Sequence, residues 1–143
     1  MTRTMLATLA LGAAVAFAGP AFADKYKATL DAKSEVPPNA SAATGSADID
    51  YDTATKKLSW KISYSGLTGP ASAAHFHGPA EAGKNAAPAV WISEKGQPFS
   101  SPFKGSATLT DAQADDLQKG MWYVNVHTAA NPGGEIRGQV VKG

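Results

Sequence analysis

The chain has 143 residues and no cysteine, so it holds neither a disulfide nor a thiolate metal site. Thirteen Lys and Arg nearly balance twelve Asp and Glu. That balance, with no basic run, argues against nucleic acid and against an anionic membrane surface as partners.

Arg3, the apolar run from Met5 to Ala18 and the Ala21-Phe22-Ala23 cleavage pattern read as a secretory signal peptide over residues 1–23. The run is too short, and wrongly flanked, for a transmembrane helix. The expected mature chain is one domain over 24–143, periplasmic or secreted and not inserted in a membrane. Without Arg3 its charges balance, twelve against twelve.

Strand signals follow at regular spacing. Tyr26, Ala28 and Leu30 alternate before a break at Val36-Pro37-Pro38. Ala47, Ile49 and Tyr51 alternate next. Leu58, Trp60, Ile62 and Tyr64 give the clearest period of two. Shorter strands are predicted over 73–77, 89–93 and 103–109, and the Ala- and Gly-rich stretch from Pro79 to Pro88 reads as a mobile loop. Thr110 to Gln113 fits a capping box, with Ala114 and Leu117 on one face and Gly120 as the stop, so one short helix is expected. Trp122, Val124 and Val126 then alternate against Tyr123, Asn125 and His127. Ile136, Gly138 and Val140 alternate against Glu135, Arg137 and Gln139. The pattern predicts an all-β domain: an antiparallel, Greek-key-like sandwich or flattened barrel of about eight strands with one short helix. Trp60, Trp91 and Trp122 read as core anchors.

All three histidines fall in two motifs, His75 and His77 in AAHFHGPA and His127 in WYVNVHTAANPGGEIRGQ. On a strand His75 and His77 share one face, while Phe76 points to the other. His127 ends a second strand beside a Gly-rich turn. If the motifs meet, three imidazoles form a metal site. Imidazole suits copper and zinc, and raw affinity favours copper, one per chain. A three-histidine zinc hydrolase or hydratase site remains the less favoured alternative. Asn125 shares the His127 face and reads as a hydrogen-bonding strand residue. Arg137 fits either a surface ion pair with Glu135 or a cation that draws a small anion to the metal.

AHFHGPA, then SPFKGSATLT with its following helix, then YVNVHTAANPGGEIRGQV resemble the CHRD domain, a family named from chordin and widespread in secreted bacterial proteins. The resemblance covers nearly the whole mature chain and implies an extracellular β-domain, without by itself implying an activity. A more distant likeness is to copper-zinc superoxide dismutases. His75-Phe76-His77 looks like their first pair of copper ligands, His127 like the later ligand, and Gly133 to Arg137 like the turn and guiding arginine. Counterparts of the bridging histidine, the zinc histidines and the disulfide cysteines are absent. The resemblance therefore implies a copper-only superoxide dismutase with Arg137 as the catalytic cation and superoxide as the substrate. The alternatives are a periplasmic copper carrier without turnover and a metal-free extracellular interaction module.

Overall fold

The computed structural model describes residues 23–97 and 99–143. The expected leader lies outside these residues, apart from Ala23, with which the first strand begins. Among the described residues there are nine strands and one helix: β1 Ala23–Asp31, β2 Thr44–Asp52, β3 Lys57–Ser65, β4 Ala71–His77, β5 Pro88–Trp91, β6 Phe103–Thr108, α1 Asp111–Gln118, β7 Tyr123–Thr128, β8 Ile136–Gln139 and β9 Val141–Lys142.

Period-two patterning explains β1 to β3. Tyr26, Ala28 and Leu30, then Ala47, Ile49 and Tyr51, then Leu58, Trp60 and Ile62 are all buried, while the residues between them face outward or are half-covered. Every strand pair is antiparallel. The order is β5-β4-β7-β8-β1-β2-β3-β6, with β9 pairing the start of β1. The sheet rolls into a nearly closed barrel around one core, in which Trp60 on β3 meets Phe76 on β4 edge to face, ring centroids 5.4 Å apart. β9 is an addition to the eight expected strands, because the chain leaves β8 at Val140 and re-pairs with β1.

The helix is built as its sequence predicts. The Thr110 hydroxyl accepts from the Gln113 N–H, the Gln113 side chain accepts from the Thr110 N–H, and Ala114 and Leu117 are buried. Gly120 follows at φ +73°, where a side chain would be strained.

Two expectations need correction. Trp60 and Trp122 are core residues, but Trp91 is 45% exposed. It lies on β5, the short strand at one end of the sheet, and has no neighbouring strand on its free side. The stretch from Pro79 to Pro88 is fastened rather than free. Ala87 C=O accepts from Gly78 N–H, Met121 C=O accepts from Ala80 N–H, and Arg137 and Tyr123 hold its centre. All six residues of β7 are buried, Val124 and Val126 in the core and Tyr123 hydrogen-bonded to this loop at Ala86.

Candidate metal centre

His75 and His77 stand on the outer face of β4, and Phe76 between them is fully buried in the core. β4 pairs β7 with Ala73 opposite His127, His75 opposite Asn125 and His77 opposite Tyr123. That register brings the two motifs together. One ring nitrogen from each histidine lies within 4.8 Å of the other two. His75, His77 and His127 are 7%, 7% and 9% exposed, so the cluster is nearly closed to water.

The hydrogen bonds fix which nitrogens face inward. A carbonyl only accepts, so His77 Nδ1–H donates to Ala86 O (2.9 Å) and His127 Nδ1–H donates to Pro132 O (2.8 Å). Both Nε2 atoms are thereby left with lone pairs. His75 Nδ1 lies 3.2 Å from His127 Nε2, so its proton bridges two nitrogens in the metal-free protein. His75 Nε2 is buried without a partner, with the Trp91 ring edge-on at 4.1 Å between centroids. The Asn125 amide oxygen lies 3.0 Å from His77 Nε2. A lone pair and an oxygen facing one another accommodate a shared cation. The donor set therefore fits a metal bound through His77 Nε2, His127 Nε2 and His75 Nδ1, with the His75 proton moving to Nε2.

Electrostatics favour the neutral ligand form. Burial, followed by the neighbouring His127 and His77, pushes the His75 pKa down to about 4. Burial also lowers His77, against hydrogen bonds to Ala86 and Asn125 that raise it. His127 is lowered by burial and raised in part by Pro132. Neutral imidazole is the metal-ligating state.

Arg137 is not beside the three rings. Its guanidinium carbon lies 3.4 Å from the Tyr123 ring centre. Tyr123 stacks on His77 at 4.7 Å between centroids and 3° between planes, so one aromatic ring separates the cation from the ligand. Arg137 Nη1 donates to Asn85 Oδ1 (2.8 Å) and Nη2 to Lys84 O. It is 2% exposed and makes no ion pair with Glu135.

Three residues that the sequence did not single out shape the surroundings. The Tyr123 hydroxyl accepts from Ala86 N–H and donates to Ala86 O, the same carbonyl that receives the His77 proton. Glu135 is fully buried, and its carboxylate accepts from the Ser41, Thr68 and Thr128 hydroxyls, the Thr68 N–H and Asn131 Nδ2. It ties together the three loops around the end of the sheet, including the one carrying Pro132. Glu35 is buried with Oε1 unpartnered, against Gly134. Gly134, at φ +123°, lacks the Cβ that would collide with the Glu35 carboxyl and come within 2.7 Å of Asn125 Nδ2. The sequence marked Glu135 only as an ion-pair candidate for Arg137, a contact it does not make, and nothing local marked Glu35.

The sequence model of the CHRD domain matches residues 26–140. The chain belongs to the CHRD domain family, which occurs in extracellular and secreted proteins. No curated protein and no solved structure matches it significantly. Among the described residues, no helix is long and apolar enough to cross a membrane.

Proposed function

We propose that this chain is an exported mononuclear copper protein that holds one ion through His75, His77 and His127 and disproportionates superoxide. One observation carries the copper reading: two Nδ1–H bonds to backbone carbonyls leave the Nε2 lone pairs of His77 and His127 free in a cluster where one ring nitrogen from each histidine lies within 4.8 Å of the others. Such outer contacts are how metal-ligating histidines are usually oriented. Three imidazoles without a thiolate or carboxylate among them suit copper over zinc by affinity. Bound copper, alternating between Cu(II) and Cu(I), would carry the electron from one superoxide ion to another, two superoxide ions and two protons giving dioxygen and hydrogen peroxide.

The chain's own residues orient the imidazoles, exclude most water and keep the ligands unprotonated. Arg137 is assigned a supporting role, because its two terminal nitrogens are engaged by the Lys84–Asn85 segment. It holds the loop whose Ala86 carbonyl orients His77. The same observation favours a second reading, copper carriage without turnover, since a buried arginine behind Tyr123 is poorly placed to receive an anion.

Metal analysis and copper EPR on wild type and on the His75→Ala/His77→Ala/His127→Ala variant test the site. One copper per chain is expected for wild type and none for the variant, and equal uptake would leave the metal-free interaction module standing. Superoxide decay by pulse radiolysis separates the two copper readings. A copper-loaded protein no faster than buffer is a carrier.

A further inference from the structure

The barrel has a seam. β5 and β6 end the sheet and are not hydrogen-bonded to each other. A cleft of about 570 Å³ lies there, lined in part by Trp60, Trp91, Phe103, Lys104 and Gly105, within the range of about 300–1,000 Å³ usual for ligand clefts. Among the described residues, β6 pairs only with β3, so its outer edge offers unpaired backbone N–H and C=O groups. β5 is shorter, and its Ala89 carbonyl already accepts from Gln113 Nε2 (2.9 Å). The free hydrogen-bonding edge is therefore on β6.

Two further features point to a ligand. Trp60 lines the cleft and its buried Nε1–H has no acceptor. A Cβ at Gly105 would come within 2.8 Å of that nitrogen, so the glycine lets β6 lie directly against the indole that floors the cleft. A buried donor without a partner costs free energy until something accepts from it. Lys104 lines the cleft, and Lys61 stands directly opposite it across β3 and β6; both are exposed and, among the described residues, neither is in an ion pair. Like charges at facing positions are unfavourable; Lys61 has Asp48 facing it on β2, whereas Lys104 on the edge strand faces only Lys61. Lys95 gives the cleft a second cation beside Lys104, against one carboxylate, Glu94.

We propose that the β5–β6 seam binds an extended acidic peptide segment of a partner protein as an added strand on β6. Its backbone bonds to the free edge, its apolar side chains pack on Trp60 and Trp91, and its carboxylates meet Lys61 and Lys104. Strand addition to an exposed edge is a general mode of peptide recognition. A second copy of this chain fits worse, because β6 carries Lys104 and no carboxylate to meet it. The proposal rests on the fold and not on the copper reading.

The test uses blocked seven-residue peptides alternating Val with Asp, Val with Thr, or Val with Lys, titrated into the full protein with and without copper. Binding is read from tryptophan fluorescence and from amide shifts and hydrogen-exchange protection of residues 103–108. The Asp peptide is expected to bind at least tenfold more tightly than the Thr peptide and to protect β6 amides. Lys61→Glu/Lys104→Glu, at two exposed positions, is expected to invert the preference toward the Lys peptide with an unchanged circular dichroism spectrum. No β6 shift at millimolar peptide, or an unaltered preference in the double variant, would overturn the proposal. So would sedimentation showing that β6 is protected by self-association alone.

Discussion

The guanidinium of Arg137 covers one face of the Tyr123 ring, and His77 stacks on the other. This three-layer stack makes Arg137 a positioning residue for the proposed copper site. Arg137→Gln removes both contacts to the Lys84–Asn85 segment and loosens the Ala86 carbonyl that orients His77. Copper affinity is expected to fall roughly 10-fold, the usual scale for outer contacts of metal ligands, with altered EPR parameters. Arg137→Lys keeps the charge but not the two-pronged contact, and is expected to behave like the Gln variant. The salt dependence of superoxide decay should stay the same in all three proteins, since a buried charge is poorly screened. A flattened salt dependence in Arg137→Gln alone would make it an anion guide instead.

Replacing His77 with Ala leaves two imidazoles and is expected to lower copper affinity by roughly a hundredfold or more. The pH at which copper leaves follows from the lowered pKa values. An imidazole in water is half protonated at about 6.5, but His75 is held down to about 4 by burial and by its two histidine neighbours. Protons therefore compete late. EPR during acid titration should show copper retained well below about pH 6.5 and released toward pH 4.

The metal-free protein should lose stability over the same interval. The unfolded chain protonates its histidines near their ordinary pKa while the native cluster stays neutral, so the unfolded state binds more protons and stability declines from about pH 6.5 to about pH 4. Thermal melts of the triple-Ala variant should show a shallower decline. Equal slopes would mean that the histidines are not neutral in the native protein.

Glu135 is the main electrostatic fastening of the fold. Burial opposes its ionisation, but the hydroxyls of Thr68, Thr128 and Ser41 and the Thr68 N–H prevail and hold its pKa at about 2. Its depressed pKa contributes stability that is full above about pH 4.5 and lost as pH falls toward 2. Glu135→Gln trades a charged acceptor for a neutral one and strands several donors. A loss of about 2–4 kcal/mol in urea unfolding at pH 7 is expected, together with weaker copper binding, because the Pro132 loop loosens.

Glu35 behaves in the opposite sense. Burial pushes its pKa up to about 7 despite the nearby Arg137 and the Val36 N–H. As pH rises from about 4.5 to 7 the unfolded carboxyl ionises first, so Glu35 costs stability at neutral pH. Glu35→Gln should stabilise the protein by about 1–2 kcal/mol at pH 7 and by little at pH 4, as urea unfolding at both pH values would reveal.

The sequence made the strands legible because each core face repeats every second residue, as Leu58, Trp60 and Ile62 do. It also made the three histidines legible as a group, since they occupy strand ends in two motifs. It did not make Arg137 legible. Alternation places a side chain on a face but does not say how far a long one runs along it, and Arg137 runs to Tyr123. Trp91 was misread because a tryptophan on an end strand has no neighbour to cover it. The role of Glu135 was not legible because its partners come from loops distant in sequence, Thr68 lying 67 positions away, and Glu35 carries no motif that marks its burial against Gly134.

The register of β4 on β7 would also decide when and where the proposed metal is chosen. His75 and His127 are 52 residues apart in the chain, so an unfolded chain offers only the local His75–His77 pair. The third imidazole arrives only when Ala73 comes to lie opposite His127. Nearly all the affinity of a three-histidine site thus belongs to the folded protein, and little of it to the unfolded chain. A chain that crosses a membrane unfolded would leave the cytoplasm without a copper trap. It would take its metal from the compartment in which β4 and β7 first meet.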